Sequence, residues 1–424
     1  MIIPSIDIMG GQTVQLIGGK EHALDAGDPR PIAQRFRLAG DIAVVDLDAA
    51  LGRGSNAALI RDLLPIARCR VGGGIRDVRS AIEWLDAGAA QIVLGTAATP
   101  EVLRELPRQR VIAALDARDG EIVVKGWQEG TGESILDRMR RLEGLVGGFL
   151  ITFVEREGRL GGTRLDLVPE LVKAAGAARV TIAGGVTTAN DVAALDALGA
   201  DAQVGMALYT NRLNLADALA APLVSDRPDG LWPTVIVDEL GVALGLAYSN
   251  PESLREAVRS LRGVYHSRRR GLWVKGESSG NTQELLRVDL DCDRDALRFT
   301  VRQSGKGFCH LGMQTCWGEC GGLSALVDRI ATQVRNAAPG SYSARLIADP
   351  ALLRSKLSEE SLELGSASNA DQVAHEAADL LYFTLVTMQR AGVGLADVAG
   401  ELDRRALRIT RRPGNAKPEG SVPQ

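Results

Sequence analysis

Two aspartates occupy matching places in the first half of the chain, each at the end of a short apolar run. Asp7 follows the run IIPSI, and Asp116 follows the run VIAAL. Two carboxylates that face one substrate can act as general base and general acid. Glycine-rich turns, which let backbone N–H groups approach phosphates, contain Gly73, Gly74, Gly95, Thr96, Gly184, Gly185 and Gly205. These residues predict a proton-transfer site for a ligand with a phosphate at each end.

A second group of reactive side chains combines carboxylates with thiols. It comprises Asp291, Cys292, Asp293 and Asp295, followed by Cys309, His310 and Cys316. In an extended segment the three aspartates would project to one face and Cys292 to the other. Oxygen ligands suit Mg²⁺ and thiolates suit Zn²⁺, and three thiolates leave a fourth zinc position open for water. An acidic loop alone is usually solvated, but the joint spacing predicts a metal site, in which His310 could relay protons.

A third group places four carboxylates on two predicted helices. Glu360 and Glu363 are three positions apart, and so are Glu376 and Asp379. Residues at that spacing share a helix face, so an antiparallel pair of helices would bring the four acids together. The convergence of four negative charges favours a site for cations such as Mg²⁺. One acidic pair alone would indicate a solvated helix, but the second pair lies among apolar residues.

The elements that must position the first group are short apolar runs, each followed by a helical segment. The predicted strands are Ile2–Ile8, Ile42–Asp46, Cys69–Val71, Ile92–Leu94, Val111–Leu115, Leu150–Phe153, Val180–Ala183 and Ala202–Val204. Motifs also recur after about 110 residues, since VGGGI at 71–75 is echoed by IAGGV at 182–186 and LGTA at 94–97 by VGMA at 204–207. We therefore predict an N-terminal (β/α)8 TIM barrel made of two half-barrel repeats.

The rest of the chain predicts two further domains. Strand-like runs at Thr234–Asp238, Glu284–Asp291 and Ala296–Gln303 predict a mostly-β α+β domain. Helical patterns at Leu323–Ala337, Pro350–Leu364, Asp371–Ala391 and Leu395–Ile409 predict an all-α C-terminal domain. The predicted boundaries are 1–222 for the barrel, 229–322 for the middle domain and 323–409 for the helices, with a disordered polar tail at 410–424.

The composition is that of an ordinary globular protein, with 45% hydrophobic and 24% charged residues. A net charge of -4 and an aromatic content of 4% give no indication of a nucleic-acid or membrane-surface partner. No apolar run approaches the roughly 20 residues that cross a bilayer, and the first residues predict a strand, not a signal peptide. Five cysteines without an export signal favour metal binding over disulfides, so we expect a cytoplasmic protein.

The barrel segment, roughly Met1–Leu219, resembles the phosphoribosylformimino-aminoimidazole-carboxamide ribotide isomerases of histidine biosynthesis. The resemblance rests on the motifs IIPSIDI, VGGGIR, ALDARDG followed by GWQEGTG, and AGGV. It implies an Amadori rearrangement, in which an aminoaldose is ring-opened and becomes an aminoketose. By the same resemblance Asp7 is the base, Asp116 the acid and Thr152 the assisting hydroxyl.

Three positions depart from the pattern of that family. Where the family has Thr-Asp-x-x-Arg-Asp-Gly, this chain has Phe153 and Glu157 in place of the two aspartates, and Met206 stands where an arginine is common. A longer carboxylate can still transfer protons, so Glu157 stays among the expected catalytic residues. The departures leave open a barrel that binds a phosphorylated ligand without catalysis.

The segment from Leu231 to Trp317 resembles phosphoribosyl-AMP cyclohydrolase, which opens the six-membered ring of the adenine base. Its strongest stretch is YHSRRRGLWVKGESSGN at 265–281. The resemblance implies a homodimer, with Cys292 contributed across the interface. The implied zinc ligands are Cys292, Cys309 and Cys316, and the implied magnesium ligands are Asp291, Asp293 and Asp295.

The segment Leu323–Arg408 resembles the all-α nucleotide pyrophosphohydrolases, and specifically phosphoribosyl-ATP pyrophosphohydrolase. It carries ExxE, twelve residues and then ExxD, flanked by GSYSARL at 340–346 and EAADLLY at 376–382. The resemblance implies that Mg²⁺ is held by Glu360, Glu363, Glu376 and Asp379. Because the ExxE…ExxD pattern is widespread, a general nucleotide-pool pyrophosphatase remains an alternative.

Together the three resemblances imply one trifunctional enzyme of histidine biosynthesis. Phosphoribosyl-ATP would lose pyrophosphate, phosphoribosyl-AMP would be ring-opened by a zinc-activated water, and the diphosphorylated aminoaldose would be isomerised. The expected cofactors are Zn²⁺ and Mg²⁺, with no organic cofactor, and the expected partners are small-molecule substrates and a second copy of the chain. The alternative is a bifunctional cyclohydrolase and pyrophosphohydrolase whose barrel is a non-catalytic module.

Overall fold

The computed structural model of the protein describes residues 1–19, 21–124, 127, 129–318, 321–336, 338 and 340–410. The thiol Cys320 and the predicted tail from residue 411 onward lie outside the described residues. Among the helices of this part of the chain, none combines the length and apolarity that crossing a membrane would need.

The first half of the chain forms a closed barrel. Its elements are β1 (Ile2–Met9), β2 (Gln12–Ile17), β3 (Glu21–Gly27), α1 (Pro29–Phe36), β4 (Asp41–Asp46), α2 (Leu47–Leu51), α3 (Ala57–Leu63), β5 (Arg68–Gly72), α4 (Val78–Ala87), β6 (Gln91–Leu94), α5 (Pro100–Arg104), β7 (Val111–Arg118), β8 (Glu121–Val124), β9 (Glu129–Ser134), α6 (Ile135–Leu142), β10 (Gly148–Phe153), α7 (Val168–Ala175), β11 (Arg179–Ala183), α8 (Ala189–Ala197), β12 (Ala200–Val204), α9 (Met206–Tyr209) and α10 (Leu215–Ala220). Eight parallel strands pair in the order β1-β4-β5-β6-β7-β10-β11-β12, and β12 returns to β1. All eight predicted strands, and the (β/α)8 barrel, are confirmed.

The two halves of the barrel repeat each other in detail. An antiparallel hairpin follows the first strand of each half, β2–β3 after β1 and β8–β9 after β7. The helix after the third strand starts with a capping box in both halves, made by Asp77 and Ser80 at α4 and by Thr188 and Asp191 at α8. A capping box satisfies backbone N–H groups that a helix start leaves free. The predicted repeat is therefore present in the hydrogen bonding as well as in the motifs.

The middle part of the chain is a six-stranded sheet with one helix. Its elements are β13 (Trp232–Val237), β14 (Ala243–Ser249), α11 (Pro251–Ser260), β15 (Val264–Ser267), β16 (Gly271–Val274), β17 (Gln283–Leu290) and β18 (Leu297–Gln303). The strand order is β16-β15-β14-β13-β18-β17, antiparallel except for the parallel pair β13–β18. The predicted runs correspond to β13, β17 and β18, and the structure adds α11 and the other strands. Buried residues of the sheet, such as Tyr265 and Phe299, belong to one continuous core with the barrel.

The C-terminal part is helical and has a core of its own. Its elements are α12 (Gly322–Asn336), α13 (Tyr342–Ala348), α14 (Pro350–Ser366), α15 (Ala370–Arg390) and α16 (Leu395–Ala406). The core is formed by Ile330, Leu346, Leu353, Phe383, Leu385 and Val386. The four predicted helices are confirmed, and the short helix α13 is additional.

The segment after α16 returns to the barrel. The Arg110 guanidinium donates a hydrogen bond to the Leu407 carbonyl oxygen over 2.8 Å. The backbone N–H groups of Ile409 and Thr410 donate to Asp86 Oδ1, at 2.7 and 3.0 Å. We call residues 407–410 the C-terminal strap, because they tie the helical part to α4 and the loop before β7.

Candidate active sites

The predicted acids of the barrel line one cavity at the carboxyl ends of its strands. The cavity has a volume of about 380 Å³. Its lining includes Asp7 from β1, Asp116 from β7, Thr152 from β10 and Glu157 from the loop after β10. The closed barrel therefore brings together side chains that are up to 150 residues apart in sequence.

Asp116 is held by its neighbours on the barrel wall. Thr152 lies directly beside Asp116 in the register of β7 and β10. Burial raises the pKa of Asp116, and hydrogen bonds from the side chains of Trp127 and Thr152 partly oppose that rise. A carboxyl group that retains its proton can act as a general acid.

The pKa values of Asp7 and Glu157 both lie near 7. Burial raises the pKa of Asp7 from 3.8 to about 7. Burial, followed by the negative charges of Asp7 and Asp116, raises the pKa of Glu157 from 4.5 to about 7. Carboxyl groups with such pKa values can exchange protons with a substrate in either direction. Perturbed acids that share one cavity are a common feature of catalytic sites.

The predicted phosphate turns lie on the two sides of these acids. Gly73, Gly74, Gly95 and Thr96 line the same cavity. The other turn, with Gly184, Gly185 and Gly205, lines a smaller recess that shares Glu157, Ala183 and Gln203 with the cavity. Two glycine turns thus flank the carboxylates, the arrangement expected for a ligand with two phosphates.

The two phosphate turns differ in charge. Arg76 lines the cavity on the side of Gly73. Among the described residues, no lysine or arginine lines the recess at Gly185, where Met206 contributes a buried thioether side chain. Phe153 is fully buried in the core. An anion in the recess would therefore depend on backbone N–H groups and on uncharged side chains such as Ser5 and Gln203.

Several residues that line the cavity were not predicted from the sequence to belong to the site. Trp127, Arg76 and Gln203 line the cavity, and Trp127 bonds to Asp116. The signals were available, since Trp127 lies in the motif GWQEGTG and Arg76 ends VGGGIR. Gln203 lies inside β12 and carries no motif.

The three aspartates of the middle part converge, although their segment is not extended. Carboxylate oxygens of Asp291, Asp293 and Asp295 lie within 4.8 Å of one another. The segment is a tight turn between β17 and β18, because Asp291 Oδ1 accepts hydrogen bonds from the N–H groups of Asp295 and Ala296 at 3.0 and 3.1 Å. Arg294 accordingly adopts a left-handed conformation with φ of 66°. The segment is therefore not extended, and the condition under which the three aspartates would alternate with Cys292 on opposite faces is not met.

The aspartate turn has the donor set that a hard cation prefers. A hydrogen bond from Asp291 and the charge of Asp293 raise the pKa of Asp295, so the carboxylates repel one another. Oxygen ligands at this separation fit a divalent cation, which would remove that repulsion.

The structure brings two of the three predicted thiols together. Cys309 and Cys316 are hydrogen-bonded neighbours, and burial together with Cys309 raises the pKa of Cys316. Cys292 is exposed, 3.8 Å from Asp293, and among the described residues no ligand cluster unites it with the other two. Lys275, which is buried beside the thiol pair, was missed by the sequence analysis. His310 is exposed next to Cys309.

The helical part gathers three of its four predicted acids. Glu360 and Glu363 of α14 lie with Glu376 of α15 so that carboxylate oxygens are within 4.8 Å. Glu360 is buried and pairs with Lys356 at 3.2 Å. Asp379 is outside this cluster and faces His375 at 3.6 Å. Burial and the neighbouring charges, Glu376 first, raise the pKa of Glu363.

The fold and these three clusters define a multidomain protein built on a (β/α)8 barrel. The chain belongs to the histidine biosynthesis protein family, whose model matches residues 1–214. The model of phosphoribosyl-AMP cyclohydrolase matches residues 245–318, and that of phosphoribosyl-ATP pyrophosphohydrolase matches residues 323–406. The order of the three families along the chain is the order that the motifs predicted.

Curated relatives match different shares of the chain. An isomerase of Methanosphaerula palustris, named 1-(5-phosphoribosyl)-5-((5-phosphoribosylamino)methylideneamino) imidazole-4-carboxamide isomerase, is 42% identical over 233 residues, which are 52% of this chain and 98% of that protein. The bifunctional histidine biosynthesis protein his7 of Schizosaccharomyces pombe is 48% identical over 206 residues, 49% of each chain. The trifunctional histidine biosynthesis protein of Neurospora crassa is 50% identical over 206 residues, 49% of this chain and 24% of that protein. The chain thus spans less than half the length of these two fungal relatives.

Proposed function

We propose that the chain is a trifunctional enzyme that carries out three steps of histidine biosynthesis. Phosphoribosyl-ATP is hydrolysed in the helical part, its product is ring-opened in the middle part, and the aminoaldose is isomerised in the barrel. The observation that carries the proposal is the set of three separate acid clusters, each inside a segment matched by the corresponding family. The proposed division is 1–222, 229–322 and 323–409.

In the barrel, proton transfer falls to three acids around one cavity. Burial raises the pKa of Asp116, which favours its protonated form, so it can protonate the ring oxygen and open the aminoaldose. Asp7, with its pKa raised to about 7, can then remove the proton from the carbon next to the iminium carbon, and the resulting enaminol tautomerises to the aminoketose. Glu157 adjusts the charge on Asp7, and Thr152 orients Asp116.

In the middle part, the thiols Cys309 and Cys316 would hold zinc together with Cys292, and the aspartate turn would hold magnesium. Zinc, when bound, supplies Lewis acidity for the activation of water. His310 can accept or donate the proton that the attack on the purine ring requires. Lys275 provides a positive charge beside the two thiols, which favours their thiolate forms.

In the helical part, Glu360, Glu363 and Glu376 would hold magnesium, with Asp379 as a further ligand. Magnesium, when bound, neutralises the triphosphate and favours the departure of pyrophosphate. Lys356 bonds to Glu359 at 2.7 Å and to Glu360 at 3.2 Å, so it orients Glu360 towards the cluster.

We propose in addition that the chain acts as a homodimer, because Cys292 is exposed and apart from the thiol pair within one protomer. The test mixes Cys292→Ser chains with Cys309→Ser chains after subunit exchange. Each variant alone should lack cyclohydrolase activity, whereas the mixture should regain about a quarter of the wild-type rate, since hybrid dimers contain one intact site. A mixture that stays inactive would refute a shared site.

The proposed function is tested by supplying phosphoribosyl-ATP, Mg²⁺ and Zn²⁺ to the purified chain. The final products are separated by retention, because the aminoaldose and the aminoketose are isomers with the same mass. The aminoketose should accumulate with the wild type, and Asp7→Asn should stop the sequence at the aminoaldose. A wild type that already stops at the aminoaldose would show that the barrel only binds its ligand, the alternative that Phe153 and Met206 leave open.

A further inference from the structure

The aspartate turn of the middle part is held in place by the barrel. The guanidinium of Arg294, inside the turn, donates two parallel hydrogen bonds to Asp196 of α8: Nε to Oδ2 and Nη2 to Oδ1, both at 3.0 Å. Its third nitrogen, Nη1, donates to the Asp291 carbonyl oxygen at 2.7 Å. One side chain thus joins the barrel to the residue that begins the turn.

The backbone of the same residue is fixed from outside as well. The N–H group of Val224, in the segment after the barrel, donates to the Arg294 carbonyl oxygen over 2.8 Å. Arg294 needs this support because its φ of 66° lies in the left-handed region, which residues other than glycine rarely adopt. That conformation allows Asp291 Oδ1 to accept the N–H groups of Asp295 and Ala296, so the three carboxylates stay within 4.8 Å.

Asp196 pairs with the middle part through Arg294 and also with the barrel itself, since its Oδ1 accepts a hydrogen bond from the N-terminal ammonium of Met1 at 2.9 Å. Asp196 lies one residue before the end of the helix, where a negative charge opposes the helix dipole. Its side chain is largely buried, and so is that of Arg294, with exposed fractions of 13% and 25%. A bidentate pair of this kind restricts orientation more than an exposed ion pair does.

We infer that Asp196 is a positioning residue for the cation site of the middle part, acting through Arg294. The inference rests on the proposed function, in which Asp291, Asp293 and Asp295 hold Mg²⁺. A residue of the barrel, Asp196, thus helps to hold the cation site of the middle part in its geometry through its hydrogen bonds with Arg294. Removal of a residue that orients a metal ligand, but does not itself contact the metal, commonly changes metal affinity 10- to 100-fold.

The experiment measures cation binding in the full chain with Mn²⁺ as the probe for Mg²⁺. The chain carries Glu363→Gln and Glu376→Gln throughout, so that the helical cluster does not compete. Asp196→Asn, which keeps the shape and loses the charge, should weaken Mn²⁺ binding about tenfold and speed hydrogen exchange at the N–H groups of Asp295 and Ala296. Asp196→Glu, which keeps the charge, should restore most of the affinity.

A matched control separates positioning from general docking of the two domains. Asp217 of α10 also pairs with the middle part, with its Oδ1 2.6 Å from Arg255 Nε, but away from the turn. Asp217→Asn should leave Mn²⁺ affinity within about twofold of its parent. Equal losses for Asp217→Asn and Asp196→Asn, or no loss for either, would overturn the inference.

A second control distinguishes failure of this inference from failure of the proposed site. Asp291→Asn removes a proposed ligand and should weaken Mn²⁺ binding more than Asp196→Asn does. If Asp291→Asn leaves the affinity unchanged, the proposed cation site is refuted and the role of Asp196 falls with it. If Asp291→Asn weakens binding and Asp196→Asn does not, the site stands and only the positioning role is refuted. The Mg²⁺ concentration for half-maximal cyclohydrolase rate should follow the same order, with the rate at saturating Mg²⁺ little changed for Asp196→Asn.

Discussion

At the scale of residues, the acids of the barrel make a prediction about the pH dependence of the proposed isomerisation. A base must be ionised, so kcat/KM should rise with pH through the pKa of Asp7, about 7. Glu157 and Asp7 repel each other when both are charged, so Glu157→Gln should lower the midpoint by up to about one unit while also slowing the reaction. The measurement is the pH profile of kcat/KM, normalised to its maximum. A midpoint that rises, or stays in place, would contradict the assignment.

The same acids should make the stability of the chain depend on pH. Because the pKa of Asp7 is raised from 3.8 to about 7, the folded chain keeps a proton that the unfolded chain releases. The associated stability is complete below about pH 4 and is lost as the pH rises through about 7, at up to about 1.4 kcal/mol per pH unit for each proton. Asp7→Asn should flatten this dependence in chemical denaturation of the chain. An unchanged slope between pH 5 and 7 would count against a buried, protonated Asp7.

The residue types of the sites could be predicted from the sequence, but the chemical state of each residue could not. The spacing of Asp7 and Asp116 indicated a carboxylate pair, yet the raised pKa values come from burial that only the closed barrel produces. Trp127 and Lys275 reach their clusters through loop and strand geometry. Asp379 illustrates the opposite case, because the spacing placed it with Glu376 while the packing of α14 against α15 leaves it beside His375.

At the scale of elements, Gly184 in the second predicted phosphate turn has no room for a side chain. A Cβ on Gly184 would lie 2.5 Å from the Phe153 carbonyl oxygen, and its φ is +88°. Gly88 ends α4 with a φ of +108° but has nothing within 4 Å of such a Cβ. Gly88→Ala should therefore cost only backbone strain, about 1 kcal/mol, whereas Gly184→Ala should cost roughly 3 kcal/mol or more. The measurement is the free energy of unfolding of both variants by chemical denaturation. Equal losses would mean that the backbone moves to relieve the contact between the new Cβ and the Phe153 carbonyl oxygen.

Regular elements could be predicted where periodicity was strong, and tight turns could not. The eight apolar runs determined the barrel, and the helical patterns predicted α12, α14, α15 and α16. The predicted strands ended at Asp291 and resumed at Ala296, but the alternation of acids, which imitates the two-residue period of a sheet, did not reveal the tight turn between them. Hydrogen bonds from the backbone N–H groups of Asp295 and Ala296 to the Asp291 side chain fix the conformation of the turn. Contacts with the barrel stabilise it further. Such long-range contacts leave no local pattern in the sequence.

At the scale of the whole molecule, the C-terminal strap attaches the helical part to the barrel, and its contribution to that attachment can be tested. That part has its own small core of six buried residues, and the strap adds a second attachment at Asp86. Burial raises the pKa of Asp86, but hydrogen bonds from Thr410 and Ile409 outweigh it, so the net pKa is lowered. The strap should therefore be strongest above the ordinary pKa of 3.8 and weaken as the pH falls below it.

Asp86→Ala removes the acceptor for two backbone N–H groups and should release the strap. Hydrogen exchange at the Ile409 and Thr410 amides should become faster, while the amides of α14 and α15, which belong to the separate helical core, should keep their protection. Asp62→Ala is the matched control, since Asp62 is a surface acid of the barrel that pairs with Arg30 at 2.8 Å and does not contact the strap. Faster exchange throughout α14 and α15 would instead mean that the strap holds the helical part folded, and unchanged exchange at Thr410 would mean that Arg110 alone secures it.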